Sequence, residues 1–313
     1  METINKITTS KQTTMYDHLC KMIIGNEEVL SRIIKAAVDE ANHLNVEEIR
    51  RLIKGVHIGD LIVNPHFHLV DKKGFIKDEG MVYYDILCYI DVPQEDGKNI
   101  RVYLNVEIQN NPYPGYSIIT RGYAYISRIV SEQWGSEYDD KNYDGMKKVY
   151  SLWIMPKAPK RKDGHMNVYE TNERIICGTT VEEKEIYDKG VILAIYLNKE
   201  HDLNKKYEEH DELLTPLMVL LNNVLDYKGK QRIIEEYGLN TKKIESEVKD
   251  MCDLGESIVL EARNEGKQIE RKEKNIAHVK KLMIGLQMSF KEAINLLEIP
   301  EKEVKEIEKY FQS

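Results

Sequence analysis

The feature that most constrains this chain is a pair of alternating segments joined by a short polar turn. From Met81 the pattern alternates, with Ile86, Cys88, Ile90 and Val92 on one side of an extended backbone and Asp85, Leu87, Tyr89 and Asp91 on the other. From Arg101 onward, Val102, Leu104, Val106 and Ile108 alternate in the same way against Tyr103, Asn105, Glu107 and Gln109. The PQEDGK between them supplies the turn. A slip of one residue would send one strand's apolar set to the wrong face, so the two apolar faces must coincide. That condition needs an odd loop. A three-residue loop of Glu95, Asp96 and Gly97 sets Asp85 opposite Glu107.

Facing carboxylates repel each other and destabilise a sheet unless a charge compensates them. A divalent cation is one such charge, because magnesium takes one or two carboxylates and fills its other positions with water and substrate phosphate. The plainer alternative is that Asp85 and Glu107 are ordinary polar-face residues of a half-exposed strand pair. Spacing alone leaves both open.

Around the hairpin the periodicity is helical. Leu19, Met22, Ile23, Leu30, Ile33, Ile34 and Val38 predict two helices over residues 15–42, interrupted at Gly25-Asn26. Val46, Ile49, Leu52 and Ile53 predict a third, ended by Gly55. Helical spacing returns over residues 115–134, and residues 148–155 and 190–198 read as buried strands. Helices among strands of mixed connection predict an α/β domain with a central mixed sheet. Past His201 the patterns are helical only, which divides the chain into residues 1–201 and a helical C-terminal region, 202–313. The run from Ser289 to Glu292 matches a capping box, and Pro300 is placed to open a last helix. Glu298, Glu301, Glu303, Glu306 and Glu308 would face phosphate badly, so this hairpin is expected to pack or to form a homodimer rather than read DNA.

A formal charge of -8 excludes a protein that grips nucleic acid over its entire surface, so any such site must be a confined basic patch. Two candidates stand out. Arg121, Tyr125 and Arg128 share one helical stripe, suited to phosphate contact and base stacking or, alternatively, to a plain exposed helix face or pairing with Glu132. Lys157, Lys160, Arg161 and Lys162 form the densest basic cluster, able to guide a DNA backbone or merely to be solvated. His66 and His68 have strand spacing but no third ligand at a metal-site interval. Cys20, Cys88, Cys177 and Cys252 are too scattered for a zinc motif and are expected to be free thiols. A polar N-terminus and the lack of a membrane-length apolar run predict a cytoplasmic protein with no membrane partner.

The ordered set YYDILCYIDV, VYLNVEIQ, NPYPGYSIITRGYAYISRIVSEQ and KNYDGMKKVYSLWIM resembles the PD-(D/E)XK nuclease family, in particular the Rpn-type recombination-promoting nucleases and related transposases. The resemblance is clear over about residues 60–155 and weaker to either side. It implies a restriction-endonuclease-like core in residues 1–201 and a metal-dependent deoxyribonuclease that hydrolyses phosphodiester bonds, with DNA as partner. It also implies magnesium, or manganese in its place, held by Asp85 and Glu107, with Gln109 positioning water. Tyr84 stands where the family name expects proline, and Glu107 with Gln109 forms E-x-Q rather than E-x-K, so the usual catalytic cation is missing. An acid on the first helix often completes such sites, which points to Glu28, with Glu27 as the alternative.

Overall fold

The computed structural model describes residues 2–62, 83–202, 204–223, 225–239 and 242–312. It has two compact units, Met1–Leu254 and Gly255–Ser313. His66 and His68 lie outside the described residues.

The first unit opens with helices α1 (Glu2–Ile24), α2 (Glu27–Ala37) and α3 (Val46–Leu52). The break at Gly25-Asn26 is where the apolar spacing is interrupted. Asn26 caps α2 by accepting a hydrogen bond from the Glu28 amide at 3.0 Å, which satisfies one of the unpaired donors of the first turn. Helix α3 ends at Leu52, and Gly55 is not its terminator. It lies inside a strand, β1 (Ile53–Ile62), that periodicity did not reveal. Strand β1 shifts register twice against its neighbour, so its residues do not alternate cleanly.

Next come the hairpin strands β2 (Tyr83–Pro93) and β3 (Asn99–Ile108), then α4 (Ile118–Glu132), β4 (Lys148–Met155), β5 (Met166–Tyr169), the short α5 (Lys184–Tyr187) and β6 (Gly190–Tyr196). The sheet is mixed and six-stranded, in the order β1-β2-β3-β4-β6-β5. Strands β1, β2 and β3 are antiparallel, β4 and β6 run parallel to β3, and β5 turns back along β6. The hairpin register is the expected one: Ile86 opposes Val106, Pro93 opposes Asn99, and Gln94 and Lys98 bracket the loop through a backbone hydrogen bond of 2.8 Å. Gly97 takes φ +81°, the left-handed position that closes this loop.

Both faces of the sheet are covered. Ile86, Cys88, Ile90, Leu104 and Leu152 pack with Ile23, Leu30 and Ile33 of the first helices. The same core takes in Leu213 and Leu217 of α6 (Asp211–Leu220), Ile233 and Ile234 of α7 (Tyr227–Glu236), and Val248 of α8 (Lys242–Gly285). The compact unit therefore runs past the composition boundary near Asp202. On the other face Leu87, Tyr103, Trp153 and Ala194 receive Ile126 and Ile129 of α4. Helix and sheet approach closely at Gly122, where a Cβ would stand 3.0 Å from Ile192 Cδ1 and from Trp153 Nε1.

The second unit holds the end of α8, then α9 (Phe290–Leu296) and α10 (Glu301–Gln312), around Val279, Ala293, Ile294, Ile299 and Ile307. Ser289 and Glu292 form the expected capping box. Glu303 and Glu306 pair with Arg271 and Lys272 of α8, which gives two of the acidic residues a packing role. Among the described residues no helix is long and apolar enough to cross a membrane.

Candidate active site

Backbone pairing between β2 and β3 is carried to Ile86 and Val106, and at the next step the two strands are joined by side chains. The Asp85 amide donates to Glu107 Oε1 at 3.1 Å, and the Ile108 amide donates to Asp85 Oδ2 at 2.9 Å. The acids that the alternation sets opposite each other thus close the end of the ladder reciprocally. Glu107 is 3% exposed. Burial pushes its carboxyl up to about 8, with the neighbouring charge of Asp85 adding to the rise, while the Asp85 amide, Arg121 and Lys21 pull the other way.

A compensating charge is present in the protein itself. Lys21 Nζ, one turn from the end of α1, lies 2.9 Å from Asp85 Oδ1. One turn earlier on the same helix, Asp17 accepts a hydrogen bond from Asn110 Nδ2. Its carboxyl is raised by burial and, more weakly, by the charge of Asp85, against the Asn110 bond and Lys21. Asn110 Oδ1 is buried with no hydrogen-bond partner among the described residues. Lys21, Asp17 and Asn110 are the members of this site that sequence reasoning missed. The nearest signal was the expectation of an acid on the first helix.

Glu28 is placed otherwise: its carboxylate is paired with Arg50 of α3. Gln109 follows β3, with its amide donating to the Ile154 carbonyl at 2.8 Å and its side-chain Nε2 to the Asn111 carbonyl at 2.7 Å.

The α4 stripe is not an exposed face. Tyr125 is 7% exposed and packs edge-on to Tyr84 at 5.3 Å and against Trp153 at 5.5 Å, so its ring is core rather than a stacking platform. Its hydroxyl instead accepts from Arg121 Nε at 3.1 Å, and Tyr116 accepts from Arg121 Nη1 at 3.0 Å. The guanidinium also lies over the Trp153 ring at 5.2 Å, and Trp153 neighbours Glu107 across the β3–β4 pairing. Arg121 is thereby fixed beside the carboxylates. Arg128 is half-buried and acts on Glu132, whose carboxyl burial pushes up to about 7.

Because β4 runs parallel to β3, the segment after Met155 leaves the sheet at the same edge as the Gln109 loop. Lys157 places its Nζ 4.6 Å from the Tyr16 ring centre, and its charge reaches Asp17. With Tyr16 and Lys199 it lines a small cleft. Lys160 and Arg161 sit exposed on the turn that follows.

The arrangement is a buried carboxylate beside a lysine-paired one, flanked by a fixed arginine, at an edge that also carries a basic segment. Among the described residues no group of three or more His, Cys, Asp or Glu is placed to hold a metal ion. Comparison with family models, with curated proteins and with solved structures finds no match to this chain.

Proposed function

We propose that this protein is a divalent-cation-dependent DNA endonuclease of the PD-(D/E)XK type, built on a restriction-endonuclease-like core and serving recombination or mobile elements. The observation that carries the reading is the reciprocal pair of Asp85 and Glu107 at the end of the β2–β3 ladder, with Arg121 and Lys21 beside it.

The donor set fits a hard cation. Two carboxylates are what magnesium commonly takes from a protein, and the unpartnered Asn110 Oδ1 is a further oxygen in the same neighbourhood. Asp85 and Glu107 would hold magnesium or manganese, which when bound supplies a more acidic water and charge neutralisation on the phosphate. The remaining work falls to the chain. Arg121, locked by Tyr116 and Tyr125, offers its charge to a phosphodiester oxygen. Lys21 provides near Asp85 the positive charge that Gln109 does not bring. Gln109 orients water through its side-chain oxygen. Lys157, Lys160 and Arg161 line a route for the backbone at the same sheet edge.

Supercoiled plasmid incubated with the protein and magnesium should be nicked or linearised. Asp85→Ala and Glu107→Ala should each lower the rate by at least about a hundredfold, and Lys21→Ala by roughly tenfold or more, with partial recovery in Lys21→Arg. Equal rates in wild type and both carboxylate variants would defeat the reading.

A second reading is a nuclease-fold protein that binds DNA or a protein partner without cutting. The Lys21–Asp85 contact of 2.9 Å favours it, since the acid pair already has a cation. Its signature is inert wild-type protein that still shifts DNA on a gel.

A further inference from the structure

The sheet ends on an open edge at β5. Strand β5 pairs with β6 alone, and Tyr196 donates its amide to the His165 carbonyl at 2.9 Å. Alternation along an antiparallel ladder then turns the amides and carbonyls of Met166 and Val168 to the outer side, where they have no backbone partner among the described residues. Edge strands are usually blunted by proline, by charge or by a covering loop. Met166-Asn167-Val168-Tyr169 contains neither proline nor charge. The segment that follows is exposed throughout residues 171–183. The edge and this segment together present Val168 (54% exposed), Ile175 (47%), Ile176 (86%) and Val181 (68%) to solvent.

The two ends of the strand are oppositely charged. Lys160, Arg161 and Lys162 precede it, with Asp163 offsetting part of the positive charge, and Glu170, Glu173, Glu182, Glu183 and Glu185 follow, with Arg174 and Lys184 offsetting part of the negative charge, Lys184 by pairing with Glu170 at 2.6 Å. A strand with a basic start and an acidic finish is complementary to itself in the antiparallel sense only. A two-fold axis at Asn167 pairs Met166 with Val168 of the second copy and brings each basic end against an acidic end.

We propose that β5 is the interface of a two-fold homodimer in which a second copy of this chain continues the sheet edge to edge. The exposed apolar residues of 171–183 flank the joined strands in both copies.

Sedimentation of the full chain without DNA, at roughly tens of micromolar, tests this by charge exchange. Wild type should sediment at twice the chain mass. The variant Arg161→Glu/Lys162→Glu and the variant Glu170→Lys/Glu173→Lys should each associate at least about a hundredfold more weakly, because each sets like charges together. An equimolar mixture should recover the dimer, since both junctions are then of opposite sign, and loss of folding in either variant would not produce that recovery. Monomeric wild type, variants that still dimerise, or a mixture of folded variants that stays monomeric would each overturn the proposal. Dimers indifferent to both reversals would put self-association elsewhere, for instance in the helices after Gly255.

Discussion

At the scale of single residues, Glu107 has the sharpest consequence. A buried carboxyl raised from 4.5 to about 8 holds a proton in the folded state that the unfolded chain has already released. Between those values the folded state binds more protons, so stability falls as pH rises through the window from about 4.5 to 8. Glu107→Gln keeps the shape and the acceptor for the Asp85 amide but removes the titration. In a chelating buffer the wild type should lose on the order of a few kcal/mol across the window, and the variant distinctly less. Thermal melts at pH 5 and pH 8.5 would measure this, and parallel slopes would refute it. Added magnesium at the upper pH should raise the wild-type midpoint by mass action and leave Asp85→Ala unmoved. The opposition of Asp85 and Glu107 was legible in the sequence, because a two-residue period and a three-residue loop determine which side chains face each other. Lys21, Asp17 and Asn110 were not legible. Lys21 and Asp17 reach the site by the docking of α1 against the strand ends, and Asn110, just past β3, is tied in by its bond to Asp17; no local period encodes that packing. The burial of Tyr125 was misread for a related reason: a helical stripe reports which residues share a face, not which face the sheet will cover.

At the scale of elements, the cross-over from β3 through α4 to β4 positions Arg121, and its geometry depends on the contact at Gly122. A valine there would drive its Cβ and methyls into Ile192 and the Trp153 ring. Gly122→Val should cost about 2 kcal/mol through overpacking. It should also lower cleavage more than stability alone explains, because Arg121 precedes it in the same turn. Denaturant unfolding beside the plasmid assay checks both, and an unchanged midpoint would count against the packing argument. Strands β2, β3, β4 and β6 were readable because each is a clean alternation or a continuous apolar run. Strand β1 was hidden by two register shifts, and β5 by its length of four residues. Both are edge strands, where one side lacks a neighbour and the sequence is least constrained by pairing.

At the scale of the whole molecule, a composition boundary and a packing boundary do not coincide. Strand signals stop near His201, yet Leu213, Leu214, Leu217, Ile233, Ile234, Ile244 and Val248 are buried in the core that receives Ile86 and Leu104. Tyr16 of α1 reinforces this by donating its hydroxyl to the Leu221 carbonyl at 2.7 Å. Lys230 is fully buried, donates to the Leu220 carbonyl at 3.3 Å and thereby caps the end of α6. Helices α6 and α7 and the first part of α8 are therefore a wall of the α/β unit, whereas Val279, Ile294, Ile299 and Ile307 close a separate small core of their own. Two truncations distinguish these roles. A chain ending at Leu254 keeps the larger core intact, and it should unfold cooperatively near the full-length midpoint and retain magnesium-dependent stabilisation. A chain ending at His201 strips the apolar wall from the sheet, leaving a surface that no single domain tolerates in water, and it should aggregate or remain unfolded. Circular dichroism and thermal melts of the two products decide the matter. A folded product ending at His201 would return the boundary to where composition puts it, and an unfolded product ending at Leu254 would make the last helices part of the same cooperative unit.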